Sequence, residues 1–335
     1  MVKEAERMTA TLILARTDIE VLLDYDALFA QIRRGFAARA TSGREYRGHR
    51  YPITLPGAES DGAGMVLAPG LIPGIPAYTV KVNAKFPSHP PAIKGAVLLH
   101  SLEDGRLLAL LDSGYLTAMR TSASGAVGAA TLARQDASTV AIIGCGVQGR
   151  GQLTWMTKIR PITKAFLFDI DSAAASTLAK EAEHNHGLDC IICSSPQDAA
   201  RHADIVITAT WSNEPYLFAG DIRPGSHITT LGPDGPNEAE LAREVLLESR
   251  FFADSSALQV EMGAIGGVGL GESAISAEIG EVVAGLKPGR QDDDDITVYG
   301  MVGLPFQDLA AAWLVYHAAL DRGMGVEVGL NAPSR

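Results

Sequence analysis

A chain of 335 residues, 47% hydrophobic and 20% charged, has the composition of an ordinary globular protein, and its length asks for two cores rather than one. A formal charge of −11 with no stripe of Lys or Arg argues against a nucleic-acid partner. No apolar run approaches the roughly 20 residues that span a bilayer, residues 1–16 carry scattered charges unlike a signal peptide, and three cysteines make no disulfide framework, so a cytoplasmic protein with small-molecule ligands is expected.

In chain order, "YDALFAQIRRGFAARATSG" predicts a helix, and "RYPITLP", "AGMVLAPG" and "AYTVKVNAKF" predict strands. "GAVLLHSLEDGRLLALLD" predicts a hairpin turning at Glu103 to Gly105, where Asp-Gly supplies positive φ. "GYLTAMRTSASGAVGAATLAR" reads as a long helix rich in small residues. From Ser138 the pattern alternates: strand "TVAIIG", helix "GRGQLTWMTKI", strand "KAFLFDI", and a helix ending at Gly187. Then follow strand "LDCIIC", a short helix capped by Ser195 with Pro196 in its first turn, strands "DIVITAT" and "SHITTLG", helix "NEAELAREVLLES" and strand "RFFADSS". "GAIGGVGLGES" reads as a flexible loop and "QDDDD" as a solvated acidic turn. Strand "ITVYGMVG" and the amphipathic helix "FQDLAAAWLVYHAALDRG" close the chain. Cys190 and Cys193 form a CxxC, but residues three apart on a strand point to opposite faces, which suits neither a metal nor a redox pair.

Strands buried between helices imply a doubly wound parallel sheet. The expected fold class is therefore α/β, a Rossmann sheet over residues 136–304 inserted in an α+β domain made of 1–135 and 305–335 that would bind substrate. "STVAIIGCGVQGRG" carries the nucleotide signature after a strand and at a helix start. Gly144 permits the tight turn, Gly146 lets backbone approach a pyrophosphate, and Gly149 allows close helix packing. Asp169 ends the second strand, where a carboxylate accepts ribose hydroxyls and repels a 2′-phosphate. "FDID" offers acids and no arginine, so NAD is preferred to NADP. The other reading of Asp169 is a helix N-cap.

"YTVKVNAKFP", "LLALLDSGYLTAMRTSASGAVGAATLAR", "AIIGCGVQGRGQL", "TLGPDGPNEAEL" and "ITVYGMVGLPFQDLAAA" occur in an order and spacing that resembles the ornithine cyclodeaminase and mu-crystallin family over residues 11–330. The resemblance implies the fold above, a homodimer formed through the substrate domain's sheet, and a small amino or imino acid as substrate. Arginine suits a substrate carboxylate because its fork matches the two oxygens. By family position Arg120 and Arg50 are the candidates, with Arg47 a rival for the second. Arg120 at the start of "RTSASG" runs against a helix macrodipole, which asks for a functional reason. Lys81 alternates with Val80 and Val82 and so faces away from an apolar side; the resemblance gives it substrate binding and proton shuttling. Asp234, beyond a strand's carboxyl end, is the implied proton-transfer residue. Val147, Gln148, Thr121, Thr210, Leu231, Gly232 and Val302 are implied cofactor contacts, with Arg120 shared.

Two departures stand out: Ala92 in "PAIKG" replaces a family threonine, and Asn237 replaces a lysine after Asp234. An acid that would hold ornithine's distal amine is out of register, with Glu59 and Asp61 nearby in "AESDGAG". The leading expectation is an NAD-dependent ornithine cyclodeaminase, L-ornithine giving L-proline and ammonia. The alternatives are a cyclic imine (pyrroline-2-carboxylate type) reductase, an alanine-type amino-acid dehydrogenase, and a non-catalytic mu-crystallin-like binder.

Overall fold

The computed structural model describes residues 10–42, 50–54, 64–86, 89, 91–233, 235 and 238–330. It divides into two compact units, one running to Arg120 and resuming at Leu304, the other Thr121–Gly303.

The first unit begins with β1 (Thr11–Leu14), α1 (Arg16–Leu22) and α2 (Tyr25–Thr41), the last capped by Asp24, whose carboxylate accepts from the Ala27 N–H. Strands β2 (Tyr51–Thr54), β3 (Gly64–Gly70), β4 (Ala77–Lys85), β5 (Ile93–Ser101) and β6 (Leu107–Asp112) form an antiparallel meander, and Gly105 takes φ +75° in the predicted hairpin. The sheet is completed by β1, parallel to β6, and by β15 (Val326–Val328). The two edge additions are only three and four residues long, too short for alternation to reveal them in sequence. The closing helix of the chain, Pro305–Arg322, covers one sheet face and ends at Gly323 with φ +64°. Its Phe306 meets Phe36 edge to face at 5.1 Å, in space left by Gly35, where a Cβ would stand 2.4 Å from the ring.

Helix α3 (Ser113–Leu132) follows β6. The division of units falls inside it, whereas the sequence suggested a boundary after it. The reason is packing: Gly125 lies against Gln152, and Gly128 against the ring of Tyr299, both residues of the second unit.

The second unit holds β7 (Thr139–Ile143), α4 (Val147–Ile159), β8 (Lys164–Phe168), α5 (Ser172–His186), β9 (Asp189–Ile192), α6 (Pro196–Arg201), β10 (Ile205–Thr208) and β11 (His227–Thr230). It continues with α7 (Arg243–Glu248), β12 (Arg250–Ala253), α8 (Ser256–Met262), α9 (Ala264–Gly267), β13 (Ile275–Glu278), α10 (Ile279–Val283) and β14 (Thr297–Gly300); the Pro305–Arg322 helix of the first unit is thus α11. All eight strands are parallel, in the order β13-β12-β14-β11-β10-β7-β8-β9, so strand order reverses between β7 and β10. The middle strands β10, β11 and β14 are buried at every position, hence their lack of charged residues and of polar alternation.

Two expectations change. The helix "NEAELAREVLLES" shrinks to α7, because Glu240 lies at a bend in non-helical chain, its carbonyl accepting from the Tyr216 and Leu217 N–H groups. "GAIGGVGLGES" is not a free loop: it contains α9, and added Cβ atoms at Gly266 and Gly267 would meet the Val260 and Glu238 carbonyls at 2.1 Å. The CxxC thiols are unpaired, both pushed up to about 11 by burial.

Candidate functional site

Along β4, Ala77, Thr79, Lys81 and Asn83 point under α11, and Tyr78, Val80 and Val82 point to the opposite face. Lys81 does face away from its valines, but the valines line the uncovered side and the lysine is the buried residue, only 5% exposed. Its Nζ lies 2.8 Å from Asp308 Oδ2 and donates to Oδ1 at 3.0 Å. The Oδ2 approach is an ion pair without hydrogen-bond alignment. Arg120 donates from Nε to the same Oδ1 at 2.9 Å and from Nη1 to Gln307 Oε1 at 2.8 Å.

Arg120 is not at a helix start. It lies in the middle of α3, two turns after Ser113, so the macrodipole argument lapses and the buried carboxylate explains its place. Ser113 and Thr117, on the same side of α3, bond to Asn83 of β4 and fix the helix against the strand. Asp308 and Gln307 stand in the first turn of α11, where the helix dipole favours an anion, and Gln307 Oε1 also accepts from the Leu304 N–H.

Burial pushes Lys81 down to about 7, aided by Arg120 and Arg50 and opposed by Asp308. Burial alone would raise the Asp308 carboxyl, but Arg120 and Lys81 outweigh it and hold the group below the usual carboxylate range. With Lys81 protonated, one carboxylate faces two cations in a dry place, and Arg120 Nη2 is uncommitted among the described residues. A further carboxylate fits that demand. Arg50, half-buried just before β2, contributes its field to Lys81. Arg47, Glu59 and Asp61 lie outside the described residues.

In the second unit Gly144 has φ +96°, and a Cβ there would stand 2.4 Å from the Ala209 carbonyl; one at Gly149 would stand 1.9 Å from the Gly144 carbonyl. Gly146 has nothing within 4 Å of its missing Cβ and caps α4 with no side-chain acceptor, leaving the first-turn N–H groups to an anion. Asp169 is not the cap of α5; Asp171 is, accepting from the Ala173 N–H at 2.9 Å. Instead Asp169 Oδ2 accepts from the Cys145 N–H at 2.6 Å and Oδ1 from the Asp171 N–H at 2.9 Å, tying the second strand to the glycine turn. Val147 is 68% exposed, and Gln148 Oε1 is buried without a hydrogen-bond partner among the described residues. This open glycine cradle, its free helix start and the adjacent acid fit a dinucleotide.

Thr210, Leu231, Gly232 and Val302 follow the carboxyl ends of β10, β11 and β14. Thr210 gives both its N–H and its hydroxyl to Glu240 at 2.7 Å. Leu231 and Gly232 follow β11 directly, and the Gly232 N–H also reaches Glu240. The Val302 and Gly303 N–H groups donate to buried Asp254, at 2.9 and 2.7 Å. Thr121 is half-buried on α3. Asp234 and Asn237 lie outside the described residues. Asp308, Gln307, Glu240 and Asp254 escape sequence reasoning. The available signal was an acid set among the apolar positions of an amphipathic helix, as in "FQDLAAA". No group of metal-ligating side chains occurs among the described residues, and no helix there is long and apolar enough to cross a membrane.

A parallel sheet reversing order at a glycine-rich turn, with an acid after its next strand, defines the Rossmann class, here carrying a second unit with a carboxylate-bridged cation pair. The ornithine cyclodeaminase/mu-crystallin family profile matches residues 9–323, and the chain belongs to that family. It is 35% identical over 264 residues to an uncharacterized cyclodeaminase of Sinorhizobium fredii, covering 76% of this chain and 80% of the relative. Its fold is similar to an archaeal alanine dehydrogenase dimer with bound NAD (TM-score 0.88, 28% identity, 96% of this chain and 99% of that one). It is also similar to Thermococcus litoralis Delta(1)-pyrroline-2-carboxylate reductase in complex with NADH and L-proline (TM-score 0.87, 31% identity, 95% and 100%).

Proposed function

We propose that this chain is an NAD-dependent enzyme that oxidises or reduces the Cα–N bond of a small amino or cyclic imino acid. The observation that carries the reading is the dry triad of Lys81, Asp308 and Arg120, which with Lys81 protonated holds one positive charge more than it balances and so suits a carboxylate ligand. The three relatives above are named for a cyclodeamination, an amino-acid dehydrogenation and an imine reduction. All three chemistries share that bond.

NAD, when bound, supplies the hydride acceptor, and NADH the donor. Arg120 grips the substrate carboxylate through Nη2, assisted by Arg50. Lys81, whose amine sits near 7, holds or releases a proton at the substrate nitrogen with little bias at neutral pH. Asp308 keeps that amine and the Arg120 fork at fixed spacing. Asp234 takes the second proton transfer. Once the Cα–N bond is oxidised to an imine, the substrate decides how ammonia leaves: water hydrolyses the imine of a simple amino acid to the 2-oxo acid, whereas a distal amine, as in ornithine, attacks the imine carbon, expels ammonia and closes the cyclic imine, whose reduction with the hydride first removed gives proline. Offered directly, the cyclic imine needs only the last step.

The test follows both products. Purified protein with NAD is offered L-ornithine and L-alanine, and with NADH is offered a cyclic imine carboxylate. Ammonia without net NADH marks the cyclodeaminase, equal ammonia and NADH the dehydrogenase, and NADH loss with the imine the reductase. Inactivity toward the whole panel overturns the proposal in favour of a binding protein.

We also propose a homodimer through the uncovered face of the first unit's sheet. A row of apolar side chains crosses six strands there: Val326, Ile13, Leu110, Leu98, Val80 and Pro69, with Val326 64% and Ile13 37% exposed.

A further inference from the structure

The second unit contains a polar centre that no cofactor contact accounts for. Glu240 is fully buried, yet its two carboxylate oxygens receive six donors from three stretches of chain. Oε1 accepts the Thr210 N–H and hydroxyl, each at 2.7 Å, and the Tyr216 hydroxyl at 3.1 Å. Oε2 accepts the Thr208 hydroxyl at 2.6 Å, the Thr230 hydroxyl at 2.8 Å and the Gly232 N–H at 3.0 Å. Thr208 ends β10 and Thr210 lies two residues beyond it; Thr230 and Gly232 occupy the same places on β11. One side chain therefore clips together the carboxyl ends of two neighbouring strands.

The local sequence is built around this clip. Gly232 has no side chain because a Cβ would stand 2.5 Å from the Glu240 carboxyl carbon and 2.3 Å from the Thr210 carbonyl. The segment around Glu240 is non-helical and bends at Glu240 where a helix was expected, which places the carboxylate on the strand ends. In a sheet of this order the glycine turn and Asp169 serve one half of the dinucleotide, and the strands beyond the reversal serve the other.

We propose that Glu240 is a positioning residue for the nicotinamide half of the cofactor. It acts by fixing the spacing of the backbone after β10 and β11, and touches neither cofactor nor substrate. This rests on the NAD reading above. The requirement for a carboxylate is steric and chemical at once. Glutamine has one acceptor oxygen and one NH2 group, so whichever way it turns, either the Thr210 or the Gly232 N–H faces another donor. The strand ends must then separate.

The experiment titrates the full-length protein with NADH and, separately, with adenosine monophosphate, which samples only the adenine half. Wild type, Glu240→Gln and the milder Thr230→Val are compared, with thermal midpoints alongside. The expected result is a loss of NADH affinity of about tenfold or more in Glu240→Gln and a smaller loss in Thr230→Val, with adenosine monophosphate affinity unchanged in both. Equal loss of both ligands indicates a general structural role and overturns the proposal, as does unchanged NADH affinity. If Glu240→Gln does not fold, the same comparison in Thr230→Val decides. Wild type that binds neither ligand sinks the NAD reading itself, a result separable from every outcome for the variants.

Discussion

Asp308 shows how much one residue can settle. It has no solvent contact, it pairs with both cations assigned to substrate, and it is the only anion either of them reaches among the described residues. Asp308→Asn keeps the shape and removes the charge. Lys81 then loses its one acid-stabilising neighbour, so its amine falls below about 7 and the limb of the kcat/KM pH profile that it governs moves to lower pH. At neutral pH we expect kcat/KM to fall by about 100-fold or more, with NADH affinity unchanged, because the glycine turn does not depend on this carboxylate. The two stranded cations should also reduce stability, by about 3 kcal/mol. A pH profile that does not move would remove Asp308 from the proton-transfer apparatus. Steady-state kinetics across pH 5 to 9 make the measurement.

At the scale of elements, α3 and α4 are set by glycines that face particular groups. A Cβ at Gly128 would stand 2.1 Å from Cδ1 of Tyr299, a fully buried ring on β14 that cannot swing away. Gly128→Ala should therefore lower unfolding free energy by about 1–3 kcal/mol in a denaturant titration, while Gly146→Ala, with no neighbour within 4 Å, should cost little stability. Gly146→Ala should instead weaken NADH binding, since the open space above that turn is where the pyrophosphate would approach. Retained NADH affinity in that variant would place the phosphates elsewhere. The small-residue character of "RTSASGAVGAATLAR" is legible in sequence; which residue each glycine accommodates is not.

For the whole molecule, acid sensitivity has an identifiable source. His227 is buried in β11 with both ring nitrogens 3.0 Å from threonine hydroxyls, and burial, with Arg290 and Arg160 nearby, pushes it down to about 3. Its folded value lies below the unfolded one, so the unfolded chain binds the extra proton between about 6.5 and 3, and stability falls as pH drops through that window. The slope is on the order of 1.4 kcal/mol per pH unit from this one group. His227→Gln should flatten the fall in thermal midpoint between pH 6.5 and 4; an identical fall would assign acid lability to other groups. Assembly is tested at the same scale. Val80→Asp places a charge in the apolar row and should turn a sedimenting dimer into a monomer, and a wild-type monomer would remove the dimer proposal.

What the sequence determined by itself is the class of each unit. Runs of Val and Ile alternating with helices read as buried parallel strands, and a glycine turn after such a strand specifies a nucleotide fold, because both signals are local and lie within about 30 contiguous residues. Lys81, Arg120 and Asp169 were also legible as candidates, through their neighbours and their family position. What only the tertiary structure decided is which groups complete them. Asp308 stands 227 positions from Lys81 and 188 from Arg120, and Glu240 bonds across 30 positions to Thr210. An acid in an amphipathic helix reads as a solvated charge until the sheet that buries it is known. The same holds for the valines beside Lys81, whose uncovered face was fixed by where α11 packs and by nothing within the strand itself.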